Sequence, residues 1–161
     1  MAHTLFVSDG DQLRAASTQE VLDRAAALMA QRFRPGAPAF GNPERTRAYL
    51  RHQIGTLPYE VFGLLLLDTR HRLIRAEILF RGTIDSAAVY PREVARVVIE
   101  SNAAAVILFH NHPSGVAEPS QADELITKRL TDALGLLDVR VLDHLIVGSA
   151  GEYSFSETGR L

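Results

Sequence analysis

The chain has 161 residues, 47% of them hydrophobic and 22% charged, with a net charge of −2. That length suits a single domain burying roughly two-thirds of its unfolded surface, and the composition excludes a disordered chain. The charge supplies no overall drive toward nucleic acid or an anionic membrane, and the absence of cysteine excludes disulfides, thiolate ligands and a cysteine nucleophile.

Residues 1–12 lack a basic segment followed by a long apolar stretch, so neither secretion nor membrane insertion is expected, and a cytoplasmic location is. Ser17-Thr18-Gln19-Glu20 opens a helical pattern carried by Val21, Leu22, Ala25, Leu28 and Met29, which Pro35-Gly36 stops. This reads as an N-terminal packing helix. Asn42 as cap and Pro43 at the first helical position start a second helix to about Ile54. Residues 60–68, EVFGLLLLD, are nearly all apolar and too few for a typical helix, so they read as a buried central strand. Asp68 to His71 supply a turn, and residues 73–80 return as an antiparallel partner with Ile74, Ala76, Ile78 and Phe80 on one face. A third helix runs from Pro91 to about Asn102, a second buried strand covers 104–109, and a fourth helix runs from Ser120 to near Gly135. Residues 139–147 and 153–155 close the sheet. The fold class is therefore α/β, a mixed sheet with helices on its faces. Residues 1–40 form a helical extension, and 41–161 the domain proper.

The block His110-Asn111-His112-Pro113-Ser114-Gly115, followed by Pro119-Ser120 and Asp123, carries the chemistry. Histidines at i and i+2 of an extended segment project to one face, and a carboxylate from the next element can complete three corners of a zinc tetrahedron. A fourth corner left for water distinguishes a hydrolytic site from a closed structural one. Asp123 has a competing use, because Ser120-Gln121-Ala122-Asp123 has the form of a helix capping box. Its place just after the histidine loop favours the ligand role. Glu60, at the start of an apolar strand, is a candidate general base, with Glu77 on the paired strand as competitor. Ser120 could donate to a developing oxyanion or cap the helix, and the two uses compete for one hydroxyl orientation. His144, beside Asp143, reads as structural, since neighbouring strand residues face opposite ways.

These residues, with Glu60 in the segment YEVFGLL, resemble the JAMM motif of MPN/JAB-domain metalloproteases, in the RadC-like branch. The resemblance extends through Phe80-Arg81-Gly82-Thr83, Pro91-Arg92-Glu93, Asn102-Ala103-Ala104-Ala105 and Asp143-His144-Leu145-Ile146-Val147-Gly148, roughly residues 45 to 161. It implies a JAB/MPN, cytidine-deaminase-like architecture, zinc held by His110, His112 and Asp123, Glu60 as the base in preference to Glu77, and Ser120 assisting the oxyanion. The implied reaction is cleavage of a peptide or isopeptide bond in a peptide or protein substrate. Longer relatives carry a helix-hairpin-helix module associated with DNA, whose signature residues 1–45 lack, so the chain resembles the short form.

The letters H-N-H do not indicate an HNH nuclease, whose residues are spread along a ββ-helix unit, and zinc deaminases need cysteine ligands that this chain lacks. Two rivals stand beside the protease: a DNA-associated accessory protein with a vestigial zinc site, and a zinc nuclease. Arg45, Arg47, Arg51 and His52 share one helix and could meet phosphate, although such runs are usually a solvated face. DNA binding is expected to be weak.

Overall fold

A computed structural model describes residues 5–9, 12–32, 43–82 and 88–161, and the chain divides into two compact units, 1–34 and 35–161. Pro35, Gly36, Asn42 and Thr83 lie outside the described residues.

The first unit holds a two-stranded antiparallel ribbon, β1 (Phe6–Asp9) and β2 (Gln12–Ala15), then helix α1 (Thr18–Arg32). The ribbon has no counterpart in the sequence reading. A reciprocal cap starts the helix: Glu20 N–H donates to Ser17 Oγ at 3.2 Å and Ser17 N–H to Glu20 Oε2 at 2.9 Å. Hydrogen bonds from the Arg14 guanidinium, then from Ser17, hold the Glu20 carboxyl down at about 2. Leu22 and Leu28 are about half exposed, at 48% and 47%.

The second unit runs α2 (Pro43–Ile54), β3 (Val61–Leu67), β4 (Leu73–Arg81), α3 (Pro91–Ser101), β5 (Ala105–Asn111), α4 (Gln121–Gly135), β6 (Arg140–Gly148) and β7 (Gly151–Ser154). Its sheet has the order β4-β3-β5-β6-β7, antiparallel throughout except for the parallel β5–β6 pair. Parallel neighbours need a crossover, and α4 provides it. The sheet is mixed and flanked by helices, as the alternation of elements requires. On one face Phe62, Leu64, Leu66, Val106 and Leu108 pack with Val94, Val97 and Val98 of α3 and Leu130 and Leu134 of α4. Helix α2 contacts β5 and β6, and its buried Leu50 and Ile54 line a cavity with Phe109. Both faces of β3 are therefore covered, which is why its sequence is an unbroken apolar run.

Strand β4 departs from simple alternation. Phe62 pairs with Phe80 but Gly63 pairs with Ile78, so Leu79 is an extra residue in a β-bulge. Ile74, Leu79 and Phe80 pack against the core while Ile78 is 52% exposed. A second register shift falls at Ile74, so the expected shared face of Ile74, Ala76, Ile78 and Phe80 is broken at both ends. Among the described residues no helix is long and apolar enough to cross a membrane.

Candidate metal centre

His110 lies within β5 rather than just past its end, paired with Phe62 on β3 and Ile146 on β6. Strand alternation puts it on the face of Val106 and Leu108, beneath α4. His112 follows the strand and is fixed by its backbone: its N–H donates to Val147 O at 2.9 Å, and its carbonyl accepts from Gly115 N at 2.9 Å. The loop turns at Gly115, whose φ of +88° suits glycine, and it lies close against Gly148. A Cβ on Gly148 would sit 2.3 Å from Gly115 O, so the close approach needs a residue without a side chain there.

Asp123 occupies the third position of α4, where its carboxylate caps the helix and also faces the two histidines. The capping box is formed, with Asp123 N–H donating to Ser120 Oγ at 3.2 Å and Ser120 N–H to Asp123 Oδ2 at 2.7 Å. The same carboxylate reaches the histidines, Oδ1 lying 3.2 Å from His110 Nε2 and Oδ2 3.5 Å from His112 Nε2. The two uses are compatible because a carboxylate has lone pairs for both.

His110 Nε2 and His112 Nε2 are 2.9 Å apart. Bonds of about 2.0–2.1 Å at tetrahedral angles would place ligand atoms about 3.3 Å from one another, and each histidine nitrogen has one Asp123 oxygen at close to that distance, with one ligand atom from each of the three residues within 4.8 Å of the others. The donor chemistry agrees. His112 Nδ1 is 2.7 Å from Val116 O, which can only accept, so the hydrogen is on Nδ1 and Nε2 turns a lone pair toward Asp123. Two imidazole nitrogens and a carboxylate form an acceptor set that suits a borderline cation such as zinc. The His-His-Asp group is thus compatible with metal binding.

Electrostatics carry the same message. The hydrogen bond that a protonated His112 would donate to Asp123 raises its pKa against the opposing effect of burial. For Asp123, burial would raise the carboxyl, but the hydrogen bonds and charge that protonated His110 and His112 rings would offer it, with the Ser120 hydroxyl, hold it far below the usual carboxylate range. The pocket favours positive charge.

Residues 40–160 match the family described as the RadC-like JAB domain. The chain belongs to that family. It is 54% identical over 144 residues to a UPF0758 protein of Marinobacter nauticus, a match covering 89% of this chain and 64% of the relative. A UPF0758 protein of Alcanivorax borkumensis is 53% identical over 146 residues, 91% of this chain and 65% of the relative. One from Shewanella frigidimarina is 60% identical over 118 residues, 73% of this chain and 52% of the relative. The chain spans less than two-thirds of the length of these relatives.

In this RadC-like JAB domain Glu60 is partly buried immediately before β3, and its charge contributes to the raised pKa of His112. Its carbonyl accepts from Gly82 N at 2.9 Å. Asn111, buried between the two histidines in sequence, clamps both neighbours: its Oδ1 accepts from Val61 N at 2.8 Å and its Nδ2 donates to Tyr59 O at 3.1 Å. Glu77 instead pairs with Arg75 at 2.9 Å. Ser120 Oγ donates to Asp123 Oδ2 at 2.6 Å, so donation to a substrate oxygen would require the hydroxyl to turn. Arg47 is ion-paired with Glu157, and Arg51 Nε lies 2.6 Å from Glu152 Oε1, which ties α2 to the C-terminal hairpin.

Thr127 is not singled out in the sequence, Asn111 stands there only as part of the histidine block, and His144 reads there as structural. His144 is fully buried, its Nε2 2.8 Å from His110 Nδ1 and its Nδ1 2.6 Å from Thr127 Oγ1. Burial lowers its pKa well below 6.5. The signals available were a histidine in the apolar run after Asp143 and a threonine one helical turn beyond Asp123.

Proposed function

We propose that the protein is a zinc-dependent hydrolase of the JAMM type, acting in the cytoplasm on a peptide or isopeptide bond. The observation that carries this reading is the convergence of His110 Nε2 and His112 Nε2, 2.9 Å apart, on the Asp123 carboxylate, whose Oδ1 lies 3.2 Å from the first and Oδ2 3.5 Å from the second. Zinc supplies Lewis acidity when bound, lowering the pKa of water to about 7.

The chain's own residues divide the remaining work. Glu60 takes a proton from the attacking water and returns it to the leaving amine, so that water and amide become acid and amine with no other reactant. Asn111, Tyr59 and Gly82 keep its backbone in place. Ser120, once turned from Asp123, donates to the developing oxyanion. We assign this chemistry to residues 41–161, with 1–40 as an extension. The DNA-associated reading is weaker because Glu157 and Glu152 offset the charge of Arg47 and Arg51.

Zinc-loaded protein should be profiled against peptide, isopeptide-linked and nucleic-acid substrates, with Glu60→Ala as control. Cleavage of an amide bond that the control loses is the expected result. Cleavage confined to nucleic acid, or an equally active control, would displace the protease reading.

A further inference from the structure

We propose that His144 and Thr127 are positioning residues that decide which ring nitrogen of His110 carries its proton, through a buried hydrogen-bond chain from the Asp123 carbonyl. The inference rests on the metal-site reading above and goes beyond its ligands.

The proton positions follow in sequence from an atom that cannot donate. Thr127 Oγ1 lies 2.5 Å from the Asp123 carbonyl oxygen, so its hydroxyl donates there. With its single proton committed, Thr127 Oγ1 meets His144 Nδ1 at 2.6 Å as an acceptor, and His144 therefore carries hydrogen on Nδ1. The ring is fully buried, with the Phe62 ring 5.5 Å and the Phe155 ring 5.0 Å away, surroundings in which an imidazolium is costly. A neutral ring has one N–H, so His144 Nε2 accepts. Its neighbour at 2.8 Å is His110 Nδ1, which must donate. The lone pair of His110 is then on Nε2, facing His112 Nε2 and Asp123 Oδ1.

Metal-binding histidines usually have their second nitrogen held by a carbonyl or carboxylate, which fixes the tautomer outright. His112 follows that rule through Val116 O. His110 does not, because another histidine can either donate or accept, and Thr127 removes the ambiguity. Asp123 and Thr127, one helical turn apart, give α4 two roles: a carboxylate for the metal and an anchor for the proton chain. Loss of the Thr127 hydroxyl would free His144 to carry its hydrogen on Nε2. His110 would then have to accept on Nδ1 and hold its own hydrogen on Nε2, blocking the ligand lone pair.

The test is zinc affinity by chelator competition, together with nitrogen-15 NMR of the histidine rings in the zinc-free protein. Thr127→Val and His144→Phe should weaken zinc binding by about tenfold to a hundredfold. Thr127→Ser and His144→Gln, which keep the hydroxyl and an acceptor, should stay within a few-fold of wild type. His144 should appear as the Nδ1–H tautomer. Wild-type zinc affinity in folded Thr127→Val, or an Nε2–H tautomer at His144, would overturn the proposal. A wild-type protein that takes up no zinc would count against the metal reading instead, and the tautomer measurement then decides the chain by itself.

Discussion

Replacing Ser120 separates three roles that meet at one hydroxyl. Ser120→Ala deletes the acceptor for Asp123 N–H, at 3.2 Å, and the donor to Asp123 Oδ2, at 2.6 Å. The first contact is the helix cap, worth about 1 kcal/mol against alanine and only a few tenths against glycine. The second is charge-assisted, but Ser120 is exposed and its own N–H keeps hold of Oδ2 at 2.7 Å, so its loss adds on the order of 1 kcal/mol. Alanine should therefore cost about 2 kcal/mol in urea unfolding, and glycine roughly half that. Zinc affinity should fall by about tenfold in both variants, because each loosens the carboxylate equally. Turnover at saturating zinc, on the substrate that profiling returns, should fall by roughly a hundredfold or more in both, since neither side chain can donate to an oxyanion. If Ser120→Gly turns over like wild type, the hydroxyl serves the helix and the ligand only, and the oxyanion role is refuted.

Glu60→Gln should keep zinc while slowing hydrolysis by about a hundredfold or more, and Glu77→Gln should do far less; zinc loss from the first, or equal losses from both, would undo that assignment. His110→Ala and Asp123→Ala should each lose zinc by metal analysis while remaining folded, and full occupancy in either would remove that residue from the ligand set. Burial holds the folded-state pKa of His144 below its ordinary 6.5, so in acid the unfolded chain binds more protons. The stability from that residue is complete above about pH 6.5 and is lost as pH falls toward the folded value, by up to about 1.4 kcal/mol per pH unit. Urea unfolding of zinc-free protein should show this slope reduced in His144→Gln, and an unchanged slope would contradict the neutral buried ring. DNA binding should be weak and vanish at moderate salt; tight binding that survives salt and needs Arg45, Arg47 and Arg51 would bring the nucleic-acid reading forward.

The His110, His112 and Asp123 grouping was legible in the sequence because its relations are local. An i, i+2 pair in a strand shares a face whatever the strand's neighbours, and the Ser120 and Asp123 spacing is a helix start that aims its own third residue. The apolar runs of β3 and β5 identified buried strands for the same reason. Glu60 was different: only the resemblance chose it over Glu77, since nothing local tells which strand end stands beside the histidines.

Tertiary structure alone decided the rest. Strand pairing sets Leu108 against His144, and α4 lays Thr127 over that pair, so the chain from Asp123 to His110 joins three elements whose register no single segment encodes. The bulge that puts Phe80 and Ile78 on opposite faces arises from pairing with β3, and the Arg47 and Arg51 ion pairs require β7 and the segment after it to lie against α2. Periodicity reports which way a side chain points from its own backbone. What it meets there is fixed when separate elements pack, and in this protein that meeting brings His144 and Thr127 to the ring of His110.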